Sequence, residues 1–233
     1  MATLEEQLLS AVREGRVEEV QTLLAQGPSN QYVDLFLREA SERGYTEVVK
    51  VLLSRGADVN AVNRWNETAL REASVKGHLE VVKVLLAHGA DVNVVNEWNI
   101  TALMCASERG HPEVVKVLLA HGRPPSERLC EGPVEDSATL GTKCLRLRRL
   151  GEADVNAVSR RNETALMHAS EEGHLEVVKV LLAHGADVNV VNRWNETALM
   201  HASKEGHLEV VKEIILHKHI IREHHRDLER SQV

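Results

Sequence analysis

Large aromatic rings are almost absent from this chain of 233 residues: one Phe, two Tyr and three Trp, 3% in all. Rings dominate the burial of an ordinary compact core, so one large globular core is disfavoured. Many small cores of Leu, Val, Ala and Ile suit the composition better. Cysteine is scarce too, with three residues widely spaced and no Cys-x-x-Cys. That excludes a disulfide framework and leads us to expect a reducing compartment, cytoplasmic or nuclear. No stretch approaches the ~20 apolar residues that span a bilayer, and "MATLEEQLLS" at the start does not read as a signal peptide. Basic charge is outweighed, 28 residues against 35 acidic, for a net charge of −7. This works against binding nucleic acid or anionic membranes. Phosphate-cradling loops (GxxxxGK[ST], GxGxxG) and the HExxH zinc signature do not occur. No enzyme activity and no cofactor is therefore expected.

What the chain has in abundance is self-similarity. "ADVN" begins at Ala57, Ala90, Ala153 and Ala186, spaced by 33, 63 and 33 residues. Gly44, Gly77, Gly110, Gly173 and Gly206 keep the same rhythm. One unit explains itself physically. Thr68 is placed to cap a helix by accepting a backbone N–H. "ALREASVK" is a short helix with Leu70 and Ala73 inward, and Gly77 ends it in a left-handed C-cap. "HLEVVKVLLAH" is a second helix with Leu79, Val82, Leu85 and Leu86 as its buried face, stopped by Gly89. "ADVNVVNEWN" is an extended excursion and turn to the next cap. A unit this small cannot bury its apolar face without neighbours.

The stretches "GHLEVVKVLLAHGADVN" at 77–93 and 173–189, "GHPEVVKVLLAHG" at 110–122 and "GYTEVVKVLLSRGADVN" at 44–60 resemble the ankyrin repeat. The resemblance covers most of the chain and implies an all-α solenoid of antiparallel helix pairs joined by finger-like turns. It also implies a non-enzymatic, protein-binding role. One departure is consistent. Where the family usually has Thr-Pro-Leu-His, this chain has Thr-Ala-Leu followed by Arg71, Met104, Met167 or Met200, so the usual His bonds of the loop are missing.

Six helix pairs are expected in one domain. The first, at about 3–26 within a capping repeat at 1–29, turns Glu5, Glu6 and Gln7 outward. The others fall at about 34–55, 67–88, 100–121 and 163–184 and from Thr197 onward, the last running into a long charged capping helix within 207–233. Repeats thus fill 30–122 and 153–206. Between them lie thirty extra residues, Arg123–Glu152, with three of the five prolines, Cys130 and Cys144. An extruded loop, an alternative or misjoined exon and a docking arm all remain open for that stretch. Its "KCLRLRRL" reads first as a solvated charge run.

Thirteen histidines invite a search for chemistry. His78, His111, His174 and His207 follow the repeat glycines, and His88, His121 and His184 end second helices, where donors reach the last carbonyls. These are structural positions. His217, His219, His224 and His225 lack the three- or four-residue spacing that puts two ligands on one helix face, so no metal is expected there. His168 and His201 have Glu172 and Glu205 four residues on, which reads either as weak i, i+4 pairs or as a pH-sensitive patch.

The tryptophans answer to the repeat as well. "NRWNETAL" at 63–70 and 192–199 and "NEWNITAL" at 96–103 each carry Trp third, while "SRRNETAL" at 159–166 carries Arg161 there. Asn66, Asn99, Asn162 and Asn195 stand where the family usually has Gly, and Asn tolerates positive φ best among the other residues. The residue before that Asn projects from the fingertip. The resemblance implies a partner surface built from tips and first helices. At the tips it places Arg64, Trp65 and Glu67; Glu97, Trp98 and Ile100; Arg160, Arg161 and Glu163; Arg193, Trp194 and Glu196. On the helices it adds Val75, Lys76, Glu108, Arg109, Glu171, Glu172, Lys204 and Glu205. The expected function is a scaffold or regulator for a protein partner, and the chain is expected to be a monomer. A sensor of a nucleotide-like or anionic ligand, and a fragment of a larger adaptor, are the alternatives.

Overall fold

A computed structural model describes residues 3–28, 30–121 and 152–231, with the side chains of 30, 31 and 224–231 left aside. Cys130, Cys144, "KCLRLRRL" and the side chains of His224 and His225 lie outside the described residues. Among the described residues there are twelve helices and no strand. They form six antiparallel pairs: α1 (Leu4–Arg13) with α2 (Val17–Leu24), α3 (Asn30–Arg43) with α4 (Thr46–Ser54), α5 (Ala69–Lys76) with α6 (Leu79–Ala87), α7 (Ala102–Glu108) with α8 (Pro112–Ala120), α9 (Ala165–Glu171) with α10 (Leu175–Ala183), and α11 (Ala198–Lys204) with α12 (Leu208–Ser231). First helices stack on first helices, and second helices on second helices, in two layers. The expected all-α, ankyrin-like solenoid is the observed one.

The sequence signals act as read. Thr68, Thr101, Thr164 and Thr197 each accept the N–H three residues on, from Arg71, Met104, Met167 and Met200. At the start, Thr3 and Glu6 form a reciprocal capping box. One continuous core of small aliphatic side chains runs from Leu8 to Ile214. The four inner second helices, α4, α6, α8 and α10, each bury more than one stripe. α6 buries Val81 as well as Val82, Leu85 and Leu86, while Leu79 is only half-buried. The reason is geometric: α6 packs on α5 and also on α4 and α8, so two of its faces are covered. Where the family's loop His would sit, Met104 and Met167 fill the core at 1% exposure. Met200 in the sixth pair, on which no further pair stacks among the described residues, is 53% exposed.

One boundary differs. α3 starts at Asn30 and is fourteen residues long, earlier than the expected 34. The second repeat lacks the finger octet with its capping Thr, so nothing breaks the helix there.

The array closes up across the inserted segment. Asn93 Nδ2 donates to the Glu152 carbonyl as Asn60 Nδ2 does to Gly89 and Asn156 Nδ2 to Gly185. The Asp154 N–H returns to Asn93 Oδ1, as those of Asp91 and Asp187 return to Asn60 and Asn156. Asn of "ADVN" is thus a clasp between consecutive repeats, and Asp58, Asp91, Asp154 and Asp187 fold it by accepting the N–H two residues on.

His174 makes a second clasp across the same gap. Its Nε2 donates to the Glu108 carbonyl at 3.0 Å, and its ring fills the space beside Gly110, where a Cβ would lie 2.6 Å away. Gly110 also has φ +71°. Gly110→Ala should therefore lose ~1 kcal/mol or more to left-handed strain and about another from the displaced bond. Urea denaturation of this variant beside His174→Ala measures both. A loss below ~0.5 kcal/mol in Gly110→Ala would show that the clasp is slack.

Candidate functional site

Each finger is built by its first residue. Asn63 Oδ1 accepts the N–H groups of Trp65 (2.9 Å) and Glu67 (3.0 Å). Asn96, Ser159 and Asn192 do the same in their octets. The chain then turns through Asn66, Asn99, Asn162 and Asn195 at φ 61–62°. Three of these side chains reach on to the next repeat: Asn66 Nδ2 donates to Val95, Asn99 to Val158 (2.6 Å) and Asn162 to Val191. The fingers are further tied by backbone: Glu97 N–H donates to the Trp65 carbonyl, Arg160 to Trp98 and Arg193 to Arg161. The row of tips is consequently held as one fixed edge.

Trp65, Trp98 and Trp194 stand on this edge, 40%, 50% and 59% exposed. Arg64 lies over the Trp65 ring, 3.9 Å from its centroid, and Arg161 lies 5.8 Å from that of Trp194. Arg64, Glu97, Arg160, Arg161 and Arg193 are exposed beside them. On the helices, Lys76, Arg109, Glu171, Glu172, Lys204 and Glu205 are exposed, and Val75 and Glu108 half-buried. Lys76 pairs with Glu42 of the preceding repeat at 3.7 Å. Ile100 turns inward and packs on the core.

Glu67, expected among the tip residues, is drawn into the scaffold. Asn63 Nδ2 donates to it at 2.9 Å and Arg71 Nη1 lies 3.0 Å away. The same Arg71 nitrogen lies 3.0 Å from Glu72. Burial pushes the Glu72 carboxyl above its ordinary value against the pull of Arg71. Beside them, burial pushes the Cys105 thiol up from 9.0 to about 11. A thiol so placed holds ~100-fold less thiolate than an ordinary one at a given pH. Iodoacetamide labelling, mapped by mass spectrometry, should leave Cys105 unmodified in native buffer and modify it in denaturant. Ready native labelling would mean that the first helices open in solution.

A concavity of about 570 Å³ lies on the first-helix side of the fifth and sixth pairs. It brings together Glu108, Arg161, Glu163, Glu171, Glu172, Trp194, Glu196 and Lys204, all anticipated from the sequence, and adds His168 and His201. His201 takes its partners from the preceding repeat and from its own finger instead of four residues along its helix. Its Nδ1 is 3.7 Å from Glu171, and its Nε2 is 3.7 Å from Glu196 and 3.2 Å from Asn192 Nδ2. Stacking brings the end of α9 against the ring, and the finger before α11 folds back onto it. Among the described residues no three His, Cys, Asp or Glu side chains gather as a metal site, and no helix is long and apolar enough to cross a membrane.

A family model described as ankyrin repeats, in three copies, matches residues 37–128 and 138–224, most of the chain. A search of curated proteins finds no significant match.

Proposed function

The chain belongs to the ankyrin-repeat family, and we propose that it works as a non-enzymatic scaffold or regulator that binds a protein partner along its fingertips and concave first-helix face. Ankyrin repeats are in general protein–protein interaction modules. The observation that carries the reading here is the fixed edge of three half-exposed indoles flanked by arginines. Trp and Arg are the side chains most enriched at interface hot spots, and an edge fixed before binding loses little entropy on docking. A nucleotide-like or anionic ligand is disfavoured by the five carboxylates that line the groove.

The reading extends to a monomeric protein of the cytosol or nucleus that engages neither membrane nor nucleic acid. The net charge of −7 and the three widely spaced cysteines support it. Affinity capture on the immobilised chain, followed by mass spectrometry, tests the function. A protein retained by the parent and lost from a variant with Trp65, Trp98 and Trp194 changed to Ala is the expected result. Retention of small molecules that raise the melting temperature, with no such protein, would overturn it.

A further inference from the structure

We propose that the groove of the fifth and sixth helix pairs is a receptor for an arginine side chain, presented by a basic segment of the protein partner. The inference rests on the protein-binding reading above and gives the partner's chemistry.

The chain itself shows how a guanidinium is held in this setting. In the third repeat Arg71 Nη1 sits 3.0 Å from both Glu67 and Glu72. Glu163 and Glu196 hold the octet position of Glu67 in the fifth and sixth repeats, but the position of Arg71 is taken there by Met167 and Met200. The finger carboxylates are kept, and the resident guanidinium that would neutralise them is not. Glu108, Glu171 and Glu172 line the same groove. Five carboxylates thus face two fixed cations, Arg161 and Lys204, an excess of three negative charges from the same ten lining residues.

Shape and aromatic chemistry agree with charge. At about 570 Å³ the groove is of ligand-pocket size. Trp194 forms part of its wall, and the indoles of this chain already accept guanidinium faces, Arg64 on Trp65 and Arg161 near Trp194. Arginine fits better than lysine because its planar fork bonds carboxylates in pairs and stacks on rings. His201 lines the groove with Asn192 at one ring nitrogen and with Glu171 and Glu196 each 3.7 Å away.

The test uses the full chain with Trp65→Phe and Trp98→Phe, so that Trp194 alone reports. A short peptide of arginines spaced by glycine and serine is titrated, beside its counterpart in which uncharged citrulline replaces arginine. We expect saturable binding of the arginine peptide, weaker by about tenfold or more for citrulline. The same loss is expected for Glu163→Gln with Glu196→Gln. Glu196 also braces its finger through Asn192, so the exposed pair Glu171→Gln with Glu172→Gln is a second arm that spares the finger, with a loss in the same direction expected. Glu67→Gln should bind as the parent does.

Equal binding of the two peptides would overturn the proposal, as would unchanged binding in both glutamine pairs. If the arginine peptide fails but a captured protein still depends on the tryptophans, the scaffold reading stands and the arginine receptor falls. If neither binds, both fall.

Discussion

Changing Asn66, Asn99 and Asn162 together to Ala is expected to remove ~6 kcal/mol or more of stability, enough to unfold much of the array. Each position has φ near +61°, where a residue with an ordinary Cβ is strained by roughly 1–2 kcal/mol. Each side chain also donates to a carbonyl of the following repeat, a bond worth about 1 kcal/mol. Whole domains are stable by only ~5–15 kcal/mol, so three such losses are severe. They fall on neighbouring interfaces, so the sum departs from strict additivity.

The matching triple change to Gly separates the two causes. Glycine keeps the left-handed turn and loses only the bond, so a loss of about 3 kcal/mol is expected. Denaturant unfolding followed by circular dichroism should rank the parent above the Gly variant and the Gly variant above the Ala variant. Equal losses for Gly and Ala would show that the backbone at the tips is unstrained. No loss for Gly would show that the cross-repeat bonds contribute nothing.

These asparagines mark the boundary of what the sequence reveals. Their positive φ was legible, because a finger turn needs a left-handed residue and Asn is the best substitute for Gly. Their bonds to Val95, Val158 and Val191 were not, because each acceptor lies 29 or 59 residues away. The same holds for the repeat histidines. "Gly-His" reads locally as a turn, yet His78, His111, His174 and His207 donate to Glu42, Val75, Glu108 and Glu171 of the preceding repeat. His88 and His184 donate within their own helices, to Val84 and Val180, and there the sequence alone sufficed. Periodicity makes a repeat fold legible because each unit restates its own caps and core. It leaves the contacts between units implicit.

The candidate site divides along the same line. The tips were found because a finger residue that no core requires is free to be Trp. The groove was only half found. Its carboxylates stood out as tip residues (Glu163, Glu196) and first-helix residues (Glu108, Glu171, Glu172), whereas Arg71 and Glu67 pair with each other. That pairing needs the finger folded back on its own helix, which the spacing of four suggests only if both residues are helical. Glu67 lies before the helix, which starts at Ala69.

Replacing Trp65, Trp98 and Trp194 together by Ala should cost the fold little and the partner a great deal. Each indole is 40–59% exposed and borders solvent at a tip, where a substitution usually stays within ~0.5 kcal/mol. Trp65 should cost somewhat more than the others, since Arg64 stacks on it at 3.9 Å and an exposed cation–π pair is worth roughly 0.5–1 kcal/mol. Binding is a different matter. Truncating a hot-spot Trp commonly costs ~2 kcal/mol or more, about thirtyfold in affinity for each one engaged. Two engaged indoles would therefore weaken the complex by roughly a thousandfold. Tryptophan emission should be that of solvent-facing indoles in the free protein and shift to the blue on adding the captured partner. If emission is already blue in the free protein, or if the triple variant melts far below the parent, the indoles pack between fingers and serve the scaffold. If it melts like the parent and binds like the parent, the partner lies elsewhere on the array.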